Sequence, residues 1–221
     1  MSPTAGASTT GKVIHWARAY DLLVWVLTLG KERRFRDRLV QLARLAPGES
    51  ALDVGCGTGA LALAAKAAVG SSGAVCGVDA SPQMVARARR KAAKADVDVR
   101  FETVAVESLP FADGTFDVVM STLMLHHLTE EGRRQGIAEI ARVLKPGGRF
   151  FAVDLGGGAE RKRHSLLVHR RRHAHFDLDD MKPLIHHAGL DVVEQGTVGP
   201  GRVVGISNLR FLLAMSPTKA S

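Results

Sequence analysis

Aromatic residues are scarce in this chain of 221 residues, at 5% with a single tyrosine. A core built from Ala, Val and Leu rather than from rings is therefore expected, and there is no surface of interleaved aromatics for stacking nucleic-acid bases. Cysteine is scarcer still. Cys56 and Cys76 both fall in apolar, strand-like surroundings, which argues against a disulfide framework or a metal set and makes a reducing cytoplasm the expected compartment. Long apolar runs are missing too. The longest, Leu22 to Leu29, is interrupted by Thr28 and is far short of the ~20 residues a membrane span needs. The opening MSPTAGASTTGK has no apolar stretch before a cleavage site, so it reads as a disordered start and not a signal peptide.

What the chain does have is 46% hydrophobic residues, enough for a sizeable core, and a net charge of +8. That charge attracts anions such as nucleic acid, lipid headgroups or small acidic ligands, without choosing among them. It falls in three clusters: KERRFRDR at 31 to 38, RARRKAAK at 87 to 94, and RKRHSLLVHRRRHAH at 161 to 175. Each also reads as a solvated helix face or loop. The four histidines of the third cluster, His164, His169, His173 and His175, have no neighbouring cysteine or compact carboxylate set, so no metal site is expected there.

Short Val-rich runs alternate with Ala-rich helical patterns, the arrangement of a parallel sheet with crossover helices. Strands are expected near Ser50 to Val54, Ala74 to Val78, Val97 to Val104, Phe116 to Met120 and Arg149 to Asp154. Helices are expected near Ala60 to Ala68, Pro82 to Ala95 and Thr129 to Leu144, the second capped by Ser81 with Pro82 in its first turn. The third should stop at Lys145-Pro146-Gly147-Gly148, where the glycines permit a turn into the next strand. Later come a helix around Asp177 to Ala188 and two strands, Leu190 to Glu194 and Val203 to Leu213, joined by a Gly-Pro-Gly turn at 199 to 201 as an antiparallel hairpin. Two helical stretches, Ile14 to Leu29 and Glu32 to Leu45, precede the sheet as a cap. The whole, 1–221, reads as one domain: a disordered start at 1–11, the helical cap at 12–47, a ligand-binding core at 48–154, and a basic lid, helix and hairpin at 155–221.

The stretch LDVGCGTGALALAAK, Leu52 to Lys66, passes from a buried strand through alternating glycines into an apolar helix. Gly55, Gly57 and Gly59 let the backbone approach a ligand with no Cβ in the way, and the helix start offers unpaired N–H groups. Asp79 ends the next strand, where a carboxylate can accept from both hydroxyls of a ribose, so the pocket is expected to hold a nucleoside. GCGTGA also fits the dinucleotide pattern G-x-G-x-x-G/A, which keeps a nicotinamide-dependent oxidoreductase in view. Asp53, just before the first glycine, would crowd a pyrophosphate but could help to hold a cationic amino group.

LDVGCGTG, together with VDASPQM, ESLPFADGTFDVVMS, LHHL and RVLKPGGRFF, resembles the class I S-adenosylmethionine-dependent methyltransferases, in particular the ubiquinone and menaquinone biosynthesis branch, over about residues 12 to 154. The resemblance implies a doubly wound α/β fold. Its seven-stranded, mostly parallel sheet would be ordered 3-2-1-4-5-7-6, with the last strand antiparallel. It implies S-adenosylmethionine as cofactor and S-adenosylhomocysteine as product. Gly55, Gly57 and Gly59 would surround the methionine part with Asp53 in support, Asp79 would take the ribose, Ala80 and Met84 would pack near adenine, and the carbonyl of Ser121 would meet the amino group. Met84 reads equally as ordinary helix packing. Relatives commonly read Gly-Asp-Ala-Glu where this chain has Val104-Ala105-Val106-Glu107, so the acid facing the adenine amino group is Ala105 here. Either the backbone at Ala105 and Val106 or Glu107 replaces it, or adenine is held less firmly.

Methyl transfer asks little of a protein beyond alignment, and a base only where the acceptor must lose a proton. His126 and His127 lie on the acceptor side in the family pattern, as base, as orienting group, or as packed loop histidines. Tyr20, of the Tyr20-Asp21 pair, would close over the site or anchor the cap. The expected reaction is methylation of a small or lipophilic acceptor: a quinone precursor, a phospholipid headgroup or a specialised metabolite. The apolar run Leu22 to Leu29 followed by KERRFRDR suits contact with an anionic membrane, and also a cap helix buried against the sheet. A nucleic-acid methyltransferase is the alternative, although STLM stands where an Asn/Asp-Pro-Pro-Tyr type motif would be.

Overall fold

The computed structural model describes residues 32–156, 176–198 and 209–218. In chain order these form helix α1 (Glu32–Leu42), β1 (Ser50–Val54), α2 (Ala60–Val69), β2 (Ala74–Asp79), α3 (Pro82–Ala95), β3 (Arg100–Thr103), β4 (Phe116–Thr122), a 3₁₀ turn (Leu125–His127), α4 (Glu130–Val143), β5 (Leu144–Leu155), a second 3₁₀ turn (Leu178–Met181), α5 (Lys182–His187), β6 (Asp191–Thr197) and β7 (Leu209–Met215). The sheet runs β3-β2-β1-β4-β5-β7-β6, as expected. Strands β1 to β5 pair in parallel, and β7 is antiparallel to both β5 and β6.

Successive side chains of the central strands point to opposite faces, and both faces are covered, which is why these strands read as continuous apolar runs rather than alternating ones. Leu52, Val119, Phe150 and Ala152 face one apolar cluster with Ile137 and Ile140 of α4 and Ile185 of α5. Ala51, Val118, Met120, Phe151 and Val153 face the other, with Leu39 of α1, Ala62 and Ala65 of α2, and Val85 and Ala88 of α3. The second cap stretch thus forms a shorter helix than expected and belongs to a sheet-covering layer. The first, Ile14 to Leu29, lies outside the described residues, as do Tyr20, the basic stretch 161 to 175 and the turn 199 to 201.

Local signals fix the helix ends. Ser81 Oγ accepts from the N–H of Met84 at 3.4 Å with Pro82 in the first turn, and Thr129 Oγ1 accepts from Gly132 at 3.1 Å with Glu130 and Glu131 beside the positive helix end. One boundary differs from expectation. Pro146 and Gly147 do not separate helix from strand, because β5 already begins at Leu144, which pairs with Phe116. The ladder then breaks and resumes at Val118 and Arg149, with Gly147 at φ 75°, so the Pro-Gly-Gly run is a bulge within the strand. Strand β3 is shorter than expected, Arg100 to Thr103, and the expected helix at 177 to 188 divides into a 3₁₀ turn and the short α5.

The second basic cluster, at 87 to 94, is partly committed to the fold. Arg89 donates twice to the carbonyl of Phe101, at 2.9 and 2.6 Å, and Lys91 Nζ donates to Thr58 Oγ1 at 2.7 Å. No helix among the described residues is long and apolar enough to cross a membrane.

Candidate functional site

The central strands deliver their polar residues to the carboxyl edge of the sheet. There, between β1 and α2, the chain turns through Gly55, Gly57 and Gly59, all at positive φ (70°, 53° and 79°). The glycines serve different neighbours. A Cβ on Gly59 would stand 2.7 Å from Phe101 Cζ and 2.8 Å from Ala88 Cβ, so that glycine lets the loop settle onto β3 and α3. A Cβ on Gly55 would overlap Met124, whose own Cβ would be 2.7 Å away. The requirement at both positions comes from protein neighbours as well as from any ligand.

Asp79, at the end of β2, ties this turn in place. Its Oδ2 accepts from the N–H of Gly57 at 2.9 Å and its Oδ1 from the N–H of Ser81 at 2.8 Å. Burial raises its pKa and these two hydrogen bonds pull it back. An ionised carboxylate has about four acceptor positions, so two stay available for a vicinal diol. Ala80 is half-buried beside it, and Met84 is buried yet belongs to neither apolar cluster. Ala105 is buried, whereas Val106 sends its side chain into the core, so that a Cβ on Gly136 of α4 would meet its Cγ1 at 3.1 Å. For Val106 that leaves the backbone as the part able to face a ligand; Glu107 is half-buried.

Asp53 is 2% exposed, and its Oδ2 has no protein partner. Burial first, and the charge of Asp79 second, push its carboxyl up to about 7 against the N–H of Ala62. Ser121 Oγ and Thr122 Oγ1, at the end of the adjacent strand β4, are likewise buried without a protein partner. Buried polar groups are almost always satisfied, so these orphaned ones, Asp53 and Thr122 on one face of the sheet and Ser121 on the other, mark the carboxyl edge as the place where polar ligand atoms would meet the chain. The donor set fits an adenosyl amino acid: carboxylate for ribose, glycine turn and Asp53 for the charged amino-acid portion.

Strand β4 leaves the sheet through Leu123, a non-glycine residue at φ 54°, whose N–H donates to Val153 at 2.8 Å. Backbone strain of this kind persists where the surroundings over-determine it. The turn lays Met124 on Gly55 and brings His126 to Asp154 at the end of β5. His126 Nδ1 lies 2.6 Å from Asp154 Oδ1, and the backbone N–H of His126 donates to Asp154 Oδ2 at 3.3 Å. Asp154 Oδ1 also accepts from Leu155 N–H at 2.8 Å, and the carboxylate is wholly buried. A carboxylate that only accepts requires the hydrogen of His126 to sit on Nδ1, leaving Nε2 as a proton acceptor. Sequence reasoning found His126 but missed Asp154, whose signal was an acid at the end of the strand parallel to β4. The His126 and His127 rings lie 3.9 Å apart between centroids, tilted 43° to one another, and Phe176 stands 6.1 Å from His126.

A mostly parallel sheet in this order, with its antiparallel β7, a glycine turn after β1 and an acid at the end of β2, has the class I methyltransferase fold. Comparison with known proteins agrees. Residues 51–148 match the family described as "Methyltransferase domain". The ubiquinone/menaquinone biosynthesis C-methyltransferase of Geobacter sulfurreducens is 40% identical over 140 residues, 62% of this chain and 54% of that one. The 27-O-demethylrifamycin SV methyltransferase of Amycolatopsis mediterranei is 37% identical over 169 residues, 72% of this chain and 60% of that one. The chain thus spans between half and two thirds of the length of these relatives. Among solved structures, a SAM-dependent methyltransferase from Aquifex aeolicus superposes with a TM-score of 0.69 at 20% identity, over 90% of this chain and 97% of that one. The [4+2]-cyclase SpnF superposes at 0.70 and 20% identity, over 97% of this chain and 90% of that one. Residues 51–148 thus match a methyltransferase domain and the sheet has the class I methyltransferase fold, a class whose cofactor is S-adenosylmethionine. The likeness to a cyclase shows that fold alone does not set the reaction.

Proposed function

We propose that this protein transfers a methyl group from S-adenosylmethionine to a hydroxyl of a lipophilic small molecule, with His126 as the base. The observation that carries this reading is the His126–Asp154 pair, two residues along the chain from the Met124 that rests on the glycine turn. The bound cofactor supplies an electrophilic methyl on a sulfonium. The chain's own residues do the rest. Asp79 and the turn at Gly55, Gly57 and Gly59 hold the nucleoside, and Asp53 and the carboxyl end of β4 receive the amino-acid portion. Ala80, Met84, Ala105, Val106 and Glu107 border the adenine. His126 Nε2 takes the proton of the acceptor hydroxyl while Asp154 keeps the ring oriented and stabilises the imidazolium that forms. The two relatives named above, one acting in quinone biosynthesis and one on a rifamycin by their names, support a lipophilic acceptor. The charge of +8 supports attraction to anionic membrane surfaces where such acceptors dissolve.

Thermal shift with S-adenosylhomocysteine and with NAD tests the cofactor assignment, since a ligand stabilises the state it binds. Stabilisation by S-adenosylhomocysteine alone is expected, and stabilisation by NAD alone would overturn it. Mass spectrometry of phenol and alcohol libraries incubated with methyl-labelled cofactor then tests the acceptor atom. Label on carbon rather than oxygen would remove His126 from the role of hydroxyl base.

A further inference from the structure

Beside the histidine–aspartate pair lies a cation that methyl transfer itself does not use. Arg133, in the first turn of α4, places its guanidinium 5.5 Å from the centroid of the Phe176 ring, and its Nη1 donates to the carbonyl of Leu128 at 2.9 Å. Phe176 in turn stands 6.1 Å from the His126 ring. The other arginines of α4 are neutralised: Arg134 pairs with Glu131, and Arg142 pairs with Glu139 and Asp113. Among the described residues Arg133 has no carboxylate within ion-pair distance, although it is half-buried. A guanidinium carries five N–H donors in a planar fork, and the Leu128 carbonyl engages one of its nitrogens. The remainder of that fork, fixed by Phe176 and by the Leu128 backbone, is set to receive an anion.

The rings add a second constraint. At the carboxyl edge of the sheet the His126 ring lies 3.9 Å from that of His127 and 6.1 Å from that of Phe176, centroid to centroid. Aromatic walls favour an arene through offset or edge contacts. We infer that Arg133 and Phe176 form an acceptor subsite for an anionic aromatic compound, an arene carrying both the hydroxyl presented to His126 and a carboxylate held by Arg133. This rests on the methyltransferase reading above and narrows its acceptor to one chemical class. Arg133 acts there as a specificity-determining residue: a carboxylate held by the fork would fix how the ring lies against Phe176 and so which hydroxyl reaches His126.

The test is calorimetry or ligand-observed NMR on the full chain saturated with S-adenosylhomocysteine, with 4-hydroxybenzoate and 6-hydroxy-2-naphthoate as probes beside their neutral amides. We expect the acids to bind about tenfold or more tightly than the amides. Arg133→Gln should erase that difference without changing S-adenosylhomocysteine affinity. Arg133→Lys should keep part of it, because it retains the charge but not the fork. Phe176→Leu should weaken acids and amides alike. Acids and amides that bind equally, or not at all, to wild-type protein would overturn the subsite with no variant needed. An Arg133→Gln protein that still prefers the acids would do the same. Failure of the wild-type protein to bind S-adenosylhomocysteine would instead overturn the methyltransferase reading, so the two failures are distinguishable.

Discussion

His126 Nδ1 and Asp154 Oδ1 are 2.6 Å apart, joining a turn after one central strand to the buried end of the next. On the proposed reading Asp154 is a positioning residue, acting through the imidazole. Asp154→Asn keeps the volume but puts an amide where only acceptors fit, so the ring is free to carry its hydrogen on Nε2. The expected result is a fall in kcat of about 10²–10⁴, the usual worth of a general base, with S-adenosylhomocysteine affinity unchanged. A purely structural role would show as a lowered Tm with an unchanged pH–rate profile. The comparison of profiles for wild type, Asp154→Asn and Asp154→Glu separates the two.

If Asp53 meets the cofactor's charge, cofactor binding should depend on pH. Its carboxyl titrates near 3.8 in an unperturbed chain and near 7 in the fold, where Asp79 on β2 and the thiols of Cys56 and Cys76 face it. The folded state therefore holds an extra proton between those values. The resulting stabilisation is fully present below pH 4 and is lost as pH rises through 7, on the order of 4 kcal/mol at its limit. A cationic ligand favours the ionised form, so S-adenosylmethionine affinity should rise with pH up to about 7 and then level off. Asp53→Asn should flatten both dependences. Calorimetry between pH 5.5 and 8.5 reads the second, and Tm of the unliganded protein reads the first. A pH-independent affinity in wild-type protein would show that Asp53 does not meet the cofactor's charge.

Gly59 and Gly57 should fail in different ways. A side chain at Gly59 meets Phe101 and Ala88 and adopts a left-handed backbone, so Gly59→Val is expected to lose about 1–3 kcal/mol or more of stability. Gly57 offers its N–H to Asp79 at the ligand face, and Gly57→Val should abolish S-adenosylhomocysteine binding. Denaturant titration and calorimetry on both variants check this. A Gly57→Val protein that folds and binds normally would remove the turn from the cofactor site.

The alternation of strands and helices was legible because each crossover is punctuated locally: Ser81-Pro82 opens one helix, Thr129 opens another, and the Ala-rich segment after Gly59 suits a helix packed closely on strands, whereas the sheet order came only with the family resemblance. The candidate site was legible only where it is local. Asp53, Gly57 and Asp79 are read from two short motifs, but the partnership of His126 with Asp154 depends on strand register, since β4 and β5 align Thr122 with Val153 and so bring the residues that follow them together. Register is a tertiary property that a single sequence does not print. The same holds for Gly59, whose neighbours Phe101 and Ala88 come from other elements, and for Leu144 to Gly148, where Pro and Gly read as a turn yet form a bulge because Leu144 finds a partner in Phe116.

The ribose assignment of Asp79 can be tested without assuming what its loss does to the loop. Its two oxygens already hold the N–H groups of Gly57 and Ser81, so Asp79→Ala loosens the turn as well as removing the acceptor. A simple loss of affinity, expected at ~1.5–3 kcal/mol for hydrogen bonds to a charged group, would therefore mix two causes. A double-mutant cycle separates them. Wild-type and Asp79→Ala proteins are compared with S-adenosylhomocysteine and with its analogue lacking the ribose 2′-hydroxyl. The missing hydroxyl should weaken binding to wild type about tenfold or more and should matter little to Asp79→Ala, because its acceptor is gone. If removing the hydroxyl costs both proteins the same, the diol is held elsewhere, and Asp79 serves the glycine turn alone.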